Sequence, residues 1–259
     1  MFLAIDVGNT QSTLGLFDEG GALMRGWRMS TDATDTSDML HSRLWGFFGK
    51  DGLSLADVTD AGVASVVPAL ERAWRRCLET HLGHDPLVVS AGRSYGMEIA
   101  MPNPRQVGAD RIANAIAARS TYGAPVIVVD FGTATNIDVV DATGAYRGGA
   151  ISPGLMLSAN ALFSRAAKLA SIPVEAPERA LGNSTEAALQ SGLVIGAAAQ
   201  AEGLVSRIKA ELGAPDATVV GTGGLARTVA RATNVFDAID PGLTLRGIRE
   251  IWLGERGRA

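Results

Sequence analysis

The sequence of 259 residues contains a single cysteine and carries no excess of positive charge. Because Cys77 has no second cysteine to pair with, an intrachain disulfide is excluded, and the composition is compatible with a reducing compartment. The formal net charge of −4 disfavours a nucleic acid or an anionic membrane surface as the partner, since binding to either normally needs a basic face.

Long apolar runs are also absent. No run reaches the ~18 residues that a membrane span needs, and the richest stretch, residues 192–204, is interrupted by Gln200 and Glu202. At the amino terminus, no basic segment precedes an apolar one, and Asp6 interrupts the first hydrophobic run, so we expect no signal peptide. The sequence therefore predicts a soluble cytoplasmic protein.

The composition that remains suits an α/β protein. Hydrophobic residues make up 47% of the chain, aromatic residues are few, and the 31 glycines suit many tight turns between strands and helices. The length accommodates two domains of about 100 to 150 residues each. We therefore predict two lobes, residues 1–118 and 119–259.

Two stretches share one pattern, an apolar run that ends at an acid and is followed by a glycine turn. The run Phe2–Asp6 is followed by Gly8, and the run Val126–Asp130 is followed by Gly132. A glycine turn lets the backbone approach a phosphate, while the carboxylate at the strand end faces the cation of that phosphate. From the residues alone, Asp130 is thus a candidate magnesium ligand.

The repeat continues beyond the turns. Residues 14–22 and residues 137–145 both run through an extended segment into an acid and a Gly-Ala turn, and a gap of one residue aligns the two copies. The duplication predicts two similar lobes with a nucleotide between them.

Local patterns predict the remaining elements. Apolar residues at helical spacing, with Cys77 among them, predict that this cysteine packs in a core and has no catalytic role. The predicted elements are a hairpin of strands at residues 12–17 and 22–29, strands at 60–67, 86–90 and 218–222, and helices from residue 35 or 36, at 70–82, from about 110, from about 155 to 169 and from 184 to about 212.

Residues 91–106 form a long irregular segment that leads to Asp110 and Arg111 at the start of a helix. A loop of this length in a compact protein is often a binding loop. An aspartate and an arginine here have two interpretations. In the first, Asp110 caps the helix and Arg111 is its charged partner. In the second, Asp110 accepts a proton and Arg111 holds an anion in a functional site.

Three groups of glycines predict close approaches. Gly192, Gly196 and Gly203 on one helix face predict a second helix nearby, and a dimer contact is one way to supply it. Gly148 and Gly149 near a strand end predict close approach to a ligand or to another strand. The turn at residues 222–224 has the composition to pass under a purine and its phosphates.

The order of these motifs resembles the superfamily of actin, sugar kinases and heat-shock ATPases, and within it the chain is similar to type III pantothenate kinases over nearly its whole length. The residues that carry the resemblance are Asp6–Thr10, Gly108–Arg111, Asp130–Thr135, Gly148–Gly154, Thr185 with Gln190–Gly192, and Thr222–Gly224.

The resemblance implies an α/β fold of two duplicated actin-like ATPase (ribonuclease H-like) lobes with a nucleotide cleft between them. It also implies ATP-dependent phosphorylation of the terminal hydroxyl of pantothenate, the first step towards coenzyme A. The implied cofactors are Mg²⁺ and a monovalent cation, K⁺ or NH₄⁺, and the implied assembly is a homodimer whose interface helps to form the site.

Site residues follow from the same resemblance. The expected ATP-binding residues are Asp6, Val7, Gly8, Asn9, Thr10, Gln11, Ser12, Thr13, Thr133, Gly223 and Gly224. The expected pantothenate-binding residues are Met101, Gly108, Ala109, Asp110, Arg111 and Thr185. Asp110 is expected to act as the general base and Arg111 to stabilise anionic oxygens. Asp6 is expected to hold Mg²⁺, and the resemblance changes the expected ion at Asp130 to the monovalent cation.

One segment departs from the family pattern. Where the family usually has a substrate-lining tyrosine in a Tyr-x-Asn-Pro segment, this chain has Met101–Pro104. A methionine packs but has no phenolic hydroxyl to form a hydrogen bond. Two alternatives therefore stay open. One is a kinase or phosphatase for another small molecule on the same fold, and the other is a catalytically silent regulatory protein, although the latter is expected to lose Asp6, Asp110 or Asp130.

Overall fold

The computed structural model describes residues 1–165 and 172–257, which divide into two compact units. The first unit comprises Met1–Ala117 with Leu243–Ala259, and the second comprises Ala118–Gly242. Each unit is built on one five-stranded sheet of mixed direction with helices packed on it. This architecture confirms the predicted α/β class and the prediction of two duplicated lobes.

The secondary-structure elements have the following limits. The first sheet contains β1 (Phe2–Val7), β2 (Gln11–Phe17), β3 (Leu23–Ser30), β4 (Asp60–Ser65) and β5 (Leu87–Val89). The second sheet contains β6 (Val126–Phe131), β7 (Ala134–Val140), β8 (Tyr146–Pro153), β9 (Thr218–Thr222) and β10 (Ala238–Ile239). The helices are α1 (Ser37–Lys50), α2 (Pro68–Leu82), α3 (Ala109–Tyr122), α4 (Leu155–Arg165), α5 (Thr185–Gln190), α6 (Gly196–Leu212), α7 (Ala226–Ala230) and α8 (Leu243–Arg256).

The first sheet has the strand order β3-β2-β1-β4-β5, in which β1 pairs antiparallel to β2 and parallel to β4. Leu3 and Ile5 of β1 and Leu14 and Leu16 of β2 are completely buried, and they form one apolar cluster with residues of α1 and α2. Because alternate residues of each strand face this cluster, the packing fixes the register of β1 and β2 and therefore the position at which each strand ends.

The second sheet repeats this pattern in the order β8-β7-β6-β9-β10. Strand β6 pairs antiparallel to β7 and parallel to β9. The register is also repeated, because Asp6 lies opposite Thr13 and Asp130 lies opposite Asn136. The structure confirms the duplication that the sequence indicated.

The second hairpin of each sheet turns in the same way. Asp18 Oδ1 accepts a hydrogen bond from the backbone N–H of Ala22 at 2.8 Å, and Asp141 Oδ1 accepts one from the backbone N–H of Ala145 at 3.2 Å. In both turns the preceding glycine has a positive φ, which glycine adopts without a steric penalty. The predicted Gly-Ala turns are therefore equivalent in space.

Helix α8 packs on the first sheet. The rings of Trp252 and Phe2 have centroids 4.5 Å apart, and a Cβ at Gly62 of β4 would lie 2.7 Å from Cγ2 of Ile248. The predicted second lobe, residues 119–259, includes α8, whereas in the structure α8 belongs to the first compact unit. Helical periodicity shows that a segment is amphipathic, but it does not show which sheet the segment covers.

Helix α2 matches its prediction closely. It begins at Pro68, ends before Gly83, which has a φ of 74°, and buries Cys77, which is 2% exposed.

The predicted helix from residue 184 to about 212 contains a π-helical turn at Ser191–Ile195 between α5 and α6, a feature that the sequence did not indicate. The predicted end near Leu169 lies outside the described residues. No helix in the described ranges is long and apolar enough to cross a membrane.

Two glycine predictions have clear outcomes. A Cβ at Gly149 would overlap the carbonyl of Ile137, so the close approach in β8 is to the neighbouring strand. At Gly192, Gly196 and Gly203, a Cβ would meet no heavy atom of the described residues within 4 Å, apart from the local backbone of the helix. No described residue of this chain therefore lies against this face, and a dimer contact at these glycines stays a prediction.

Candidate active site

The first candidate phosphate turn joins β1 to β2. The backbone N–H of Gly8 donates to the carbonyl of Gln11 at 3.1 Å, and a Cβ at Gly8 would lie only 2.9 Å from the same carbonyl oxygen. The turn is therefore tight, and residues 9–11 are exposed at its tip. Asp6 and Thr13 are half-buried neighbours at the strand ends. Successive backbone N–H groups in a turn of this kind can form a concavity that binds an anion such as phosphate.

The second candidate phosphate turn joins β6 to β7 and is one residue shorter. The backbone N–H of Gly132 donates to the carbonyl of Ala134 at 3.0 Å, which is the counterpart of the bond in the first turn. Thr133 is exposed at the tip, and Asp130 is half-buried at the strand end. The gap that aligned the two copies in the sequence thus lies inside the turn.

The glycine turn after β9 lies beside the carboxylate of Asp130. Gly223 has a φ of 88°, and a Cβ there would overlap Asp130 Oδ1 and lie 2.7 Å from the carbonyl oxygen of Phe131. Gly224 follows it and is exposed. The sequence signal for this turn is weak, and the structure places it beside Asp130 and Phe131, the last two residues of β6 before the second phosphate turn. Only glycine fits at position 223, for both conformational and steric reasons.

Asp110 occupies the first turn of α3. Its Oδ1 accepts a hydrogen bond from the backbone N–H of Arg111 at 2.9 Å. Burial raises the pKa of the Asp110 carboxyl above its ordinary value, while the N–H and the positive charge of Arg111 oppose the shift. Because α3 begins at Ala109, Asp110 lies inside the helix and is not its cap. A higher pKa makes this carboxylate a better proton acceptor than an ordinary aspartate.

Gly108 provides space for this carboxylate. A Cβ at Gly108 would lie 2.5 Å from Asp110 Oδ1 and 3.8 Å from Cγ1 of Val66. Val66 in turn donates its backbone N–H to the carbonyl of Val7 at 3.1 Å. The structure thereby places the Gly108–Arg111 segment at the same end of the first sheet as the turn that follows Asp6. Val66 is a contact that the sequence motifs did not reveal.

The irregular segment before α3 folds back on itself. Gly92 has a φ of 74°, and a Cβ there would lie 2.7 Å from the backbone of Arg105. Met101 is half-buried, and its N–H donates to the carbonyl of Ile99 at 2.9 Å. The hydroxyl of Tyr95 accepts a bond from the N–H of Ser90 at 2.7 Å, so this tyrosine holds the loop.

Thr185 lies in the second unit as the exposed first residue of α5. The preceding Ser184 caps the helix, since its hydroxyl accepts a bond from the N–H of Ala187 at 3.1 Å. Among the expected ATP-binding residues, Val7 and Ser12 are completely buried, unlike the exposed residues at the tip of the turn.

The acids are compatible with the expected cations. Among the described residues, no group of three or more His, Cys, Asp or Glu side chains is arranged to hold a metal ion. Mg²⁺ in phosphoryl-transfer sites is usually held by one or two carboxylates together with the substrate phosphates. Asp6 and Asp130 each offer one such carboxylate at a strand end, and their roles as cation ligands stay predictions.

Comparison with known proteins identifies the family. The model of the type III pantothenate kinase family matches residues 2–207. The chain is 44% identical to the type III pantothenate kinase of Moorella thermoacetica over 97% of this chain and 98% of that protein. It is also 44% identical to that of Bacillus cytotoxicus, over 96% and 94% of the two chains. This chain belongs to the type III pantothenate kinase family.

A solved structure supports the fold of this family member. The activator of the 2-hydroxyisocaproyl-CoA dehydratase from Clostridium difficile, with bound ADPNP, superposes with a TM-score of 0.61. The alignment covers 99% of this chain and 96% of the activator at 14% sequence identity. At this identity the likeness concerns the fold alone, and it confirms the actin-like ATPase fold that the resemblance implied.

Proposed function

We propose that this pantothenate kinase family member transfers the γ-phosphoryl group of ATP to the terminal hydroxyl of pantothenate, the first step towards coenzyme A. The observation that carries the proposal is the position of Asp110, a half-buried carboxylate with a raised pKa at the end of the sheet where the Asp6 turn also lies. The relatives of the same name match the chain over nearly its whole length.

The proposed reaction needs an aligned nucleophile and charge neutralisation around the phosphoryl group. The hydroxyl oxygen of pantothenate bonds to the γ-phosphorus as the bond from that phosphorus to the bridging oxygen breaks, and ADP leaves. The hydroxyl proton passes to Asp110, and Arg111 stabilises the anionic oxygens. When bound, Mg²⁺ neutralises charge on the phosphates, and Asp6 is the residue that we assign to hold it.

We assign the two turns to the nucleotide. Residues 6–13 bind its phosphates, Thr133 contacts ATP, and the turn at Gly223 and Gly224 passes under the adenosine. We assign a monovalent cation, K⁺ or NH₄⁺, to Asp130. The assignment is supported by the close packing of Gly223 against the carboxylate of Asp130 and the carbonyl of Phe131, which are both oxygen donors at the end of β6.

Pantothenate is assigned to the segment Gly108–Arg111, with Met101 and Thr185 as further contacts. Ala109, which is buried, fixes the start of α3 in this segment. At Met101 the thioether replaces the phenolic hydroxyl of the family, so the contact there is apolar.

We further propose a homodimer. The glycine face at Gly192, Gly196 and Gly203 has room for a close partner, and Ile151 and Leu157 of the same unit are 64% and 52% exposed. Light scattering at increasing protein concentration tests this assembly, and a mass equal to one chain throughout the range contradicts it.

We place the reaction in the cytoplasm. Cys77 is a free, buried thiol whose burial raises its pKa to about 12, so it stays protonated and unreactive at neutral pH. The proposal of a cytoplasmic location rests on the presence of a single cysteine, which forms no intrachain disulfide and is compatible with a reducing compartment.

The experiment that tests the activity is incubation with ATP, MgCl₂, KCl and a panel of small hydroxylated compounds that includes pantothenate. We expect mass spectrometry to find one added phosphate on pantothenate alone. Phosphorylation of another compound instead indicates a different small-molecule kinase. Nucleotide binding without phosphorylation of any compound indicates a regulatory protein on this fold.

A further inference from the structure

The residue that follows the third strand of each sheet contacts the same point of the neighbouring turn. The backbone N–H of Thr31 donates to the carbonyl of Thr10 at 2.9 Å, and the backbone N–H of Gly154 donates to the carbonyl of Thr133 at 3.0 Å. Each accepting carbonyl belongs to the last residue of a phosphate turn, directly before β2 or β7.

The strand registers show that the two contacts are equivalent. Gln11, the first residue of β2, lies opposite Ser30, and Ala134, the first residue of β7, lies opposite Pro153. Thr31 and Gly154 are each the next residue along the chain. The duplication therefore extends to a hydrogen bond outside the motifs that first revealed it.

In the first unit the side chain of Thr31 adds a second contact. Its Oγ1 lies 3.0 Å from Oγ of Ser12, and the side chain of Ser12 is completely buried. A buried hydroxyl that loses its partner costs about 1 to 3 kcal/mol, so this pair fixes the chain at the end of the turn. Thr31 thus contacts the residues on both sides of Gln11.

In the second unit the equivalent residue has no side chain and no room for one. Gly154 is buried, and a Cβ at this position would overlap the carbonyl oxygens of both Gly132 and Thr133. Gly154 is not among the glycines with positive φ, so its backbone conformation does not require glycine. The requirement is for space against the turn.

We propose that Thr31 and Gly154 are equivalent positioning residues that fix the carbonyl end of each phosphate turn and so orient the turn's N–H groups towards ATP. The inference rests on the proposed function in one respect, namely that these turns bind the nucleotide. Neither residue contacts the reacting atoms. Each acts through the turn that it holds.

The test measures binding of a non-hydrolysable ATP analogue with Mg²⁺ by titration calorimetry, together with KM for ATP and kcat. The variants are Thr31→Val, Thr31→Ser and Gly154→Ala. The matched controls are Thr34→Val, three residues away in the same loop, and Gly26→Ala in β3, where a Cβ would lie at an ordinary 3.6 Å from its nearest neighbour. Circular dichroism and thermal unfolding show whether each variant is folded.

We expect Thr31→Val to weaken binding of the analogue about three- to tenfold, and Thr31→Ser to restore it, because one hydrogen bond is typically worth this factor. Gly154→Ala is expected to weaken binding about tenfold or more and to raise KM for ATP more than it lowers kcat. Both controls are expected to bind as the unmodified protein does. A merely structural role would lower the unfolding temperature without this shift in binding.

Equal binding by the unmodified protein and by folded Thr31→Val overturns the proposal, and so does a Thr31→Ser variant that binds no better than Thr31→Val. If Gly154→Ala does not fold, the two Thr31 variants decide the question. Binding of the analogue by a protein that phosphorylates none of the compounds overturns the proposed function but leaves this test intact. Absence of binding to the unmodified protein overturns both.

Discussion

The two units have the same sheet order and equivalent backbone contacts at their turns. They differ in the residues that pack against the turn after the first acid, Asp6 or Asp130. In the first unit, residues with hydroxyl groups surround the turn that follows Asp6, including Ser12 and Thr31. In the second unit, Gly154 takes the place of Thr31 and packs against the turn, and Gly223 packs against Asp130. The difference shows that one scaffold holds a turn either by side-chain hydrogen bonds or by direct backbone packing.

The segments after β4 and β9 show the same contrast. Ser65 ends β4, and its hydroxyl accepts a hydrogen bond from the N–H of Val67 at 3.1 Å. The counterpart after β9 is Gly223, which packs on the carboxylate of Asp130. Side-chain contacts tolerate small shifts better than backbone contacts do, so we expect the second unit to be the less tolerant of substitution.

Asp110 has no counterpart in this comparison. Between β5 and α3 the first unit inserts the irregular segment that ends at Gly108, whereas only Asp240–Gly242 separate β10 from α8. The segment that leads to Asp110 therefore has no counterpart of similar length in the second unit. Replacement of the Asp110 carboxylate gives the largest expected effect on activity.

Asp110→Asn is expected to lower kcat by about 10² to 10⁴-fold, the usual contribution of a general base. The fold is expected to stay intact, because burial disfavours the ionised carboxylate that the substitution removes. Steady-state kinetics and thermal unfolding check the two statements. Turnover close to normal would rule out Asp110 as the base.

The same substitution has a signature in pH. Because burial raises the pKa of Asp110 above its ordinary 3.8, the base becomes protonated, and kcat/KM falls, at a higher pH than for an exposed aspartate. We expect an acid limb in the profile of the unmodified protein that the residual activity of Asp110→Asn lacks. An identical limb in both profiles assigns it to another group.

Asp130→Asn tests whether the two duplicated acids have separate roles. We expect activity at saturating K⁺ to fall about ten- to a hundredfold, the cost of losing one charged contact, and the response to K⁺ to disappear. Asp6→Asn is expected instead to weaken the response to Mg²⁺. The measurement replaces KCl by NaCl at constant ionic strength, and the same response in both variants would contradict the distinction.

Gly223→Ala is expected to destabilise the protein by about 1 to 3 kcal/mol, because alanine must adopt a positive φ and its Cβ must displace Asp130. Gly224→Ala is the matched control, since a Cβ there would meet no heavy atom of the described residues within 4 Å. Urea unfolding compares the two variants. Equal stability would remove the evidence that the second turn is held by backbone packing.

Ser65→Ala gives the smallest expected effect, a loss of about 0.5 to 1.5 kcal/mol, which is the net value of a typical hydrogen bond. The same urea measurements apply. A loss larger than that of Gly223→Ala would reverse the comparison between the two units.

Much of the fold was predictable because its signals are local. Helix α2 shows an apolar stripe, a proline at its start and a glycine after its end, and each is read from a few adjacent residues. The attachment of α8 was not predictable, since it depends on a sheet distant in sequence, and the sequence also did not indicate the π-helical turn. The crowding at Gly149 had two interpretations until the register of β7 and β8 was known.

The residues of the candidate site also fall into those that the sequence predicts and those that it does not. The acids at positions 6 and 130 are predictable from the duplication, because each ends an apolar run before a glycine turn. Asp110 needed the family resemblance, since an aspartate at a helix start has a common structural explanation. Val66 and Gly154 were not predicted to have roles at the turns, because their contacts arise only from strand pairing.

The return of helix α8 to the first sheet has a consequence for folding order. The second unit is continuous in sequence, so all of its residues leave the ribosome before those of α8 do. The first unit begins earlier but cannot cover Phe2, Gly15 and Gly62 until α8 has been synthesised. During synthesis, the unit that starts second is therefore the one that can finish first.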